Sequence, residues 1–327
     1  MIKREIQNSI LADFKRKKVI VLLGARQVGK TTLLLSLQSD KERVLSLNCD
    51  NIDDRLLLEA RTSTELKYLL SSYDMAFIDE AQRVKNIGLT LKMISDLKLD
   101  TQIVVTGSSS FDMANEINEP ATGRLIEYNL YPFSLAELAA DTSEREEKRL
   151  LENRLIYGLY PEVVTEPADA KRTLMSLTNN YLYKDLFSYK GLKKPDVIQK
   201  LVRALALQLG SEVSYNELSN LLGIDKETVE NYICLLEKCF VVFRLDFFSR
   251  NLRNEIKKGK KIYFYDNGIR NAVISNFAPL ELRTDAGALE FKWNAKAKSK
   301  QLKVFMESYL NSVYEIITPE NFWSFVR

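Results

Sequence analysis

A parallel α/β sheet covered by helices on both faces is the fold class that the first part of this 327-residue sequence predicts. Three observations carry it. The run Val19-Ile-Val-Leu-Leu23 is rich in β-branched residues and ends in glycine, and residues 31–37 follow it with helical spacing. Short apolar runs recur at residues 44–47, 75–78 and 103–106, with helical stretches between them. Strands that alternate with helices pair in parallel, because each crossover to a parallel neighbour lays its helix on a sheet face.

Taken in order, Val19–Leu23 is the longest apolar stretch near the N-terminus. Five residues make a buried strand, not a membrane span or a signal-peptide core. Helical periodicity fills residues 63–71 and 88–97, and a last strand is expected at residues 124–129. After Tyr131-Pro132 the β signal stops. Helices are expected at residues 134–140 and 145–157, with the mixed charges of residues 141–149 forming a solvated face. From Pro195 the pattern changes to a helix at residues 196–209, a second at 215–222, and a third that opens on Asp225 as N-cap and runs to Cys239. Strand-like runs at residues 240–248 and 261–265 then flank a basic turn. Three helices followed by a hairpin is the order of a winged helix. From about Asn267 onward the expectations are a weak strand at residues 289–293, a helix at 299–309 and a closing segment at 316–327.

Composition excludes several classes. A hydrophobic share of 46% with 28% charged residues is that of an ordinary globular protein, so disorder and a membrane class are disfavoured. Cys49, Cys234 and Cys239 have no CxxC spacing, and the chain contains no histidine, so a zinc site would lack its usual ligands. A reduced, cytoplasmic setting is the expectation. The net charge of +3 is too small to argue for nucleic acid by itself. It is unevenly spread, however: Arg250, Arg253, Lys257, Lys258, Lys260 and Lys261 face a single nearby acid, Glu255.

The chemistry concentrates at strand ends. Gly24-Ala25-Arg26-Gln27-Val28-Gly29-Lys30-Thr31 matches G-x-x-x-x-G-K-[ST] at every fixed position, between a strand and a helix. Glycines let the backbone wrap a phosphate, the exposed N–H groups point inward, and the helix that follows presents its positive end to the anion. Lys30 is then expected on the β- and γ-phosphates of ATP, and the Thr31 hydroxyl in a Mg2+ shell. The run 75–78 ends in Asp79-Glu80, with Asp79 placed to hold magnesium through water and Glu80 to polarise the attacking water. The next strand ends in the hydroxyl cluster of residues 106–110, where Thr106 or Ser108 is a candidate to sense the γ-phosphate or orient the water. A serine-rich turn is the alternative.

Beyond the phosphate loop, five elements appear in order: residues 24–32, Phe77-Ile-Asp-Glu-Ala-Gln82, Thr106-Gly-Ser-Ser109, Gly123-Arg124 before Tyr131-Pro132, and Gly158-Leu-Tyr160-Pro161. Together they resemble a prokaryotic family of AAA-type P-loop ATPases that join the ATPase to a winged helix and to a C-terminal domain related in fold to restriction-type nucleases. The resemblance implies a P-loop NTPase core over residues 1–132, a helical lid over 133–194, a winged helix over 195–266 and a short α/β remnant over 267–327. It extends the phosphate cradle to Thr32, sets Tyr160 and Pro161 against the nucleotide base, and makes Arg124 an arginine finger or γ-phosphate sensor. A helix-ending proline and a surface salt bridge are the respective alternatives. The biological role that follows is ATP hydrolysis driving a conformational change, with DNA, a protein partner or a second copy of the chain as candidate partners. A slow signal-transduction switch is the second reading.

Two further segments bear on partners. The third helix of the winged-helix pattern carries Glu227, Glu230 and Glu237, which phosphate would repel, so base readout by it is not expected. The wing from Ser249 to Lys261 is the better candidate for non-specific contact with DNA phosphates, with a solvated turn as the alternative. Near the C-terminus, Glu290 and Lys292 keep the E-x-K spacing of a nuclease strand. Asp285 stands too close to Glu290 for a hairpin to bring both carboxylates to one metal, so a shortened unit without nuclease activity is expected.

Overall fold

The computed structural model describes residues 1–38, 43–108, 123–183, 186, 194–245, 260–280, 318 and 322–325. Strands β1 (Val19–Leu23), β2 (Val44–Asn48), β3 (Met75–Asp79), β4 (Gln102–Gly107) and β5 (Leu125–Asn129) form one sheet in the order β2-β3-β4-β1-β5, and each adjacent pair is parallel. All five lie within a residue of the sequence expectation.

The central strands are buried on both faces, as helices on both sides require. Alternation along each strand divides the core in two. Ile20, Leu22, Met75, Phe77 and Val104 point to one face. Val19, Val21, Leu23, Ala76, Ile78, Ile103 and Val105 point to the other, against Leu66 and Leu70 of the helix Ser63–Leu70 and Leu91 and Ile94 of the helix Ile87–Asp96. Thr62 and Glu65 close a reciprocal capping box that starts the first of these helices at a defined residue.

The first face does not end at the sheet. Its apolar cluster continues through Tyr160, Val163, Leu174 and Leu177 into Ile198, Leu201, Leu205, Ile233 and Leu236. Apart from Tyr160, the N-cap of the first, these belong to the helices Pro161–Thr165, Ala170–Ser176, Pro195–Leu207 and Lys226–Lys238 and to a π-helical stretch at Leu177–Leu182. A second sheet, β6 (Glu212–Val213), β7 (Val242–Leu245) and β8 (Lys260–Phe264), has the order β6-β8-β7 with antiparallel pairs. In chain order these elements run helix Pro195–Leu207, β6, helix Tyr215–Leu222, helix Lys226–Lys238, β7, β8. The two-residue β6 is absent from the sequence expectation.

Three other expectations need correction. Residues 145–157 are not one helix: Leu150, at φ −89° and ψ 1°, separates Glu144–Arg149 from Leu151–Tyr157. The charges of residues 141–149 are not all solvated, since Glu147 is fully buried and accepts from Arg154 Nε at 2.9 Å and Nη2 at 3.0 Å. Residues beyond Asn267 begin with a helix, Asn267–Val273, whose Gly268 to Ala272 are all buried. The strand and helix expected at residues 289–293 and 299–309 lie outside the described residues.

Candidate functional site

The loop of residues 24–29 leaves the carboxyl end of β1, and both of its glycines are required there. Gly24 lies so close to the end of β5 that a Cβ would stand 2.3 Å from the Leu130 carbonyl oxygen. Gly29 has φ +93°, in the region that side chains avoid, and it forms the N-cap of the helix Lys30–Leu37. Gln27 also takes a positive φ, 61°. Lys30 is buried, and its Nζ donates to the carbonyls of Gly24 and Ala25, each at 2.9 Å, which holds the ammonium over the loop. Thr31 and Thr32 follow on the exposed first turn of the helix.

Asp79 ends β3 and meets Thr31, whose Oγ1 donates to Asp79 Oδ2 at 2.7 Å. Thr106 of β4 donates to Asp79 Oδ1, and the same hydroxyl accepts from the Glu80 N–H at 3.2 Å. Glu80 has φ 52°, a left-handed conformation that turns the chain out of the sheet. Gln82 Nε2 donates to Glu80 Oε2 at 2.5 Å and to Ser108 Oγ at 2.9 Å. Thr31, Asp79, Glu80, Thr106 and Ser108, five of the residues singled out in the sequence, thus converge. Cys49 lies beside this acid cluster. Burial, Asp54 and Asp79 push its thiol up to about 12, so it stays protonated and is no nucleophile near neutral pH.

One residue that supports the loop was not foreseen. Arg4 is buried, and its Nη1 donates to the Val28 carbonyl at 2.9 Å while Nε pairs with Glu137 Oε1 at 3.0 Å. Its Nη2 donates to the Tyr131 carbonyl at 2.5 Å, and the guanidinium lies 4.7 Å from the centre of the Phe133 ring. Glu137 is fixed in turn by its capping box with Ser134. The guanidinium fork therefore ties the phosphate loop to the segment that follows β5.

Pro161 also approaches the loop near Gly29: a Cβ on Gly29 would lie 3.9 Å from Pro161 Cγ and 3.8 Å from Arg4 Nη1. Pro161 opens a helix instead of ending one, which is where its missing N–H costs nothing. Tyr160 borders a cavity of about 30 Å³, together with Ala25, Arg26, Leu177, Phe240 and Asp266. Asp266 is buried and accepts from the N–H groups of Leu159 at 2.7 Å and Ile269 at 3.0 Å. Burial pushes its carboxyl up to about 6, and the N–H donors pull against that shift. Gly158 and Gly268 make the junction: a Cβ on either would meet Asp266 Oδ1 or the Tyr157 carbonyl at 2.2 Å and 2.1 Å.

Arg124 does not join this site. It precedes β5, whose register sets Leu125 beside Val19 and Asn129 beside Leu23, so it lies at the end of the sheet opposite the phosphate loop. Five residues of strand separate the two ends by roughly 16 Å. Its Nε donates to Asp96 Oδ1 at 2.8 Å in an exposed ion pair, so in this structure it does not reach the site of its own chain, contrary to the finger or sensor expected of it. Of the basic cluster, Lys260 and Lys261 belong to β8, while Arg250, Arg253, Lys257 and Lys258 lie outside the described residues. Asp285, Glu290 and Lys292 also lie outside them.

Residues 16–139 match the AAA domain, and residues 148–280 match a domain of unknown function, DUF8612. An uncharacterised protein of Haemophilus influenzae is 27% identical over 298 residues, covering 84% of this chain and 74% of its own. An uncharacterised protein of Methanocaldococcus jannaschii is 25% identical over 317 residues, and the aligned part spans 65% of that longer protein. Among solved structures, a Walker-type ATPase of Pyrococcus abyssi superposes with a TM-score of 0.59 at 15% identity, covering 84% of this chain and 96% of that one. With the five parallel strands and the glycine loop, this likeness shows the fold of a P-loop NTPase. No helix among the described residues is long and apolar enough to cross a membrane.

Proposed function

We propose that the chain binds Mg-ATP and hydrolyses it to drive a conformational change. The observation that carries this reading is the 2.7 Å bond between Thr31 Oγ1 and Asp79 Oδ2 beside the buried Lys30, because it brings two hard oxygen donors and a cation to the mouth of the glycine loop. The AAA-domain match over residues 16–139 supports the nucleotide part of it. The loop N–H groups of residues 24–31 would hold the phosphates, with Lys30 turning from the loop carbonyls to the phosphate oxygens. Magnesium, held by Thr31 and through water by Asp79, would supply positive charge beside the transferred phosphoryl group. Glu80 would take the proton of the attacking water, and Thr106, which bonds both the Asp79 carboxylate and the Glu80 N–H, keeps the two acids in register. Tyr160 and Pro161 would close the base side.

The conformational part of the proposal draws on the segments around Pro161. Residues 133–194 would act as a lid and residues 195–266 as a winged helix, in which β6 between the first two helices and the antiparallel β7–β8 pair support the assignment. Tyr131, at the end of the nucleotide sheet, stacks on Tyr265 with ring centres 4.8 Å apart and 19° between planes. Through Arg4, which donates to the carbonyls of both Val28 and Tyr131, that contact links the phosphate loop indirectly to the residue after β8, and it suits either motion on DNA or a slower switch toward a protein partner.

Lys30→Ala and Glu80→Gln test the chemistry, and they are expected to fail differently. Loss of Lys30 should weaken nucleotide binding, whereas Glu80→Gln should retain ATP and hydrolyse it at least tenfold more slowly. Glu80→Gln turnover at the wild-type rate would show that Glu80 is not the base.

A further inference from the structure

Gln82 lies on the single turn Ala81–Arg83, immediately after the acid pair. Its amide nitrogen donates to Glu80 Oε2 at 2.5 Å and to Ser108 Oγ at 2.9 Å, which uses both of its hydrogens. Its Oε1 is buried and accepts no hydrogen bond among the described residues. A buried amide oxygen without a donor is unfavourable, and turning the amide over would usually relieve it. Here the turn is blocked: it would set Oε1 against the Glu80 carboxylate, acceptor against acceptor. The charge on Glu80 therefore decides which way Gln82 faces. The main chain of Glu80 is held separately, by Thr106 of β4. Both its backbone and its carboxylate are thus fixed from one neighbouring strand end, the first through Thr106 and the second through Gln82 and Ser108.

A general base must hold one carboxylate oxygen within reach of its water, and a glutamate side chain has three rotors that work against this. A donor fixed on Oε2 restrains those rotors and leaves Oε1 of Glu80 to take the proton. Resting on the ATPase reading above, we propose that Gln82 is a positioning residue that couples the Glu80 carboxylate to the Ser108 hydroxyl, so that the ends of β3 and β4 act on the attacking water as one unit. Its unsatisfied oxygen is accounted for on this basis: the amide is oriented for Glu80 and not for its own hydrogen bonding.

Gln82→Leu keeps the volume and removes both donors. Its kcat for ATP should fall at least tenfold, while KM and nucleotide affinity stay within about twofold of wild type. In a Glu80→Gln background the same substitution should cost less than about twofold, because Gln82 acts through the carboxylate that is no longer there. Equal losses in the two backgrounds, or a Gln82→Leu enzyme at the wild-type rate, would overturn the assignment. Should Gln82→Leu fail to fold, Gln82→Asn keeps the polarity and is one methylene too short to bridge. It should show the same loss of kcat, and wild-type turnover in it would equally overturn the role. A wild-type chain that binds ATP but never hydrolyses it would instead overturn the enzymatic reading itself, and the positioning role with it.

Discussion

Arg124 shows how far a single residue can be read from its neighbours in the chain. The resemblance implies an arginine finger or γ-phosphate sensor, yet its position is fixed by the parallel register of β5, which puts it and Gly24 at opposite ends of adjacent strands. Its ion pair with Asp96 is exposed, and such pairs contribute about 0–1 kcal/mol. Arg124→Ala should therefore leave stability nearly unchanged and ATP turnover within about threefold of wild type. A thousandfold loss in a steady-state assay would mean that Arg124 reaches the site of a neighbouring copy, since a finger has that magnitude. The phosphate loop was legible because its chemistry is local: eight consecutive residues carry the loop, the cation and the hydroxyl. Arg4 was not. Its partners Val28, Tyr131 and Glu137 lie 24, 127 and 133 positions away, and nothing in the tetrapeptide around it signals burial.

Among the elements, the helix Asn267–Val273 was missed along with Ile6–Asp13 and the short helices between residues 161 and 182, and its composition explains why. Arg270 and Asn271 read as surface residues, but Arg270 Nε donates to the Ala206 carbonyl at 2.8 Å and Asn271 Nδ2 to the Ile156 carbonyl at 2.7 Å, so both are buried and bonded. Strands β1, β3 and β4 of the large sheet, by contrast, each contain a short uninterrupted apolar run that declares itself. The helix is capped by Asp266, and that cap has a pH signature. A carboxyl whose folded value is raised from 3.8 to about 6 stabilises the fold relative to the ionised form below about pH 3.8, and this contribution is lost as the pH rises through 6. Its full size is about 3 kcal/mol. Asp266→Asn should remove that part of the pH dependence between pH 4 and 6 in denaturant titrations. It should also loosen the Gly158–Leu159 junction, because an amide nitrogen cannot accept from the Leu159 N–H. An unchanged pH profile would show that the buried carboxyl does not titrate in this window.

At the scale of the molecule, the nucleotide sheet and the second sheet are joined by a shared apolar cluster and by the stack of Tyr131 on Tyr265. Motion at the loop therefore has somewhere to go. If the basic hairpin carries it to DNA, reversing Lys257, Lys258, Lys260 and Lys261 to glutamate should abolish retention on duplex DNA in low salt and leave ATP turnover intact. Retention that survives the reversal would remove the hairpin from the interface. Association of the wild-type chain on adding Mg-ATP without DNA, measured by sizing in solution, would favour the switch reading.

The strand order β2-β3-β4-β1-β5 also has a consequence in time. The strand that carries the phosphate loop is made first, but both strands that flank it are made last. Gly24 N–H waits for the Gly107 carbonyl, and Leu23 O for the Leu130 N–H. On a ribosome adding about 5–20 residues each second, β1 therefore spends several seconds outside the exit tunnel as an apolar edge without its neighbours. A nascent chain arrested before β5 emerges should be protease-sensitive around the loop and aggregation-prone, and it should depend on chaperones until the last strand closes the sheet.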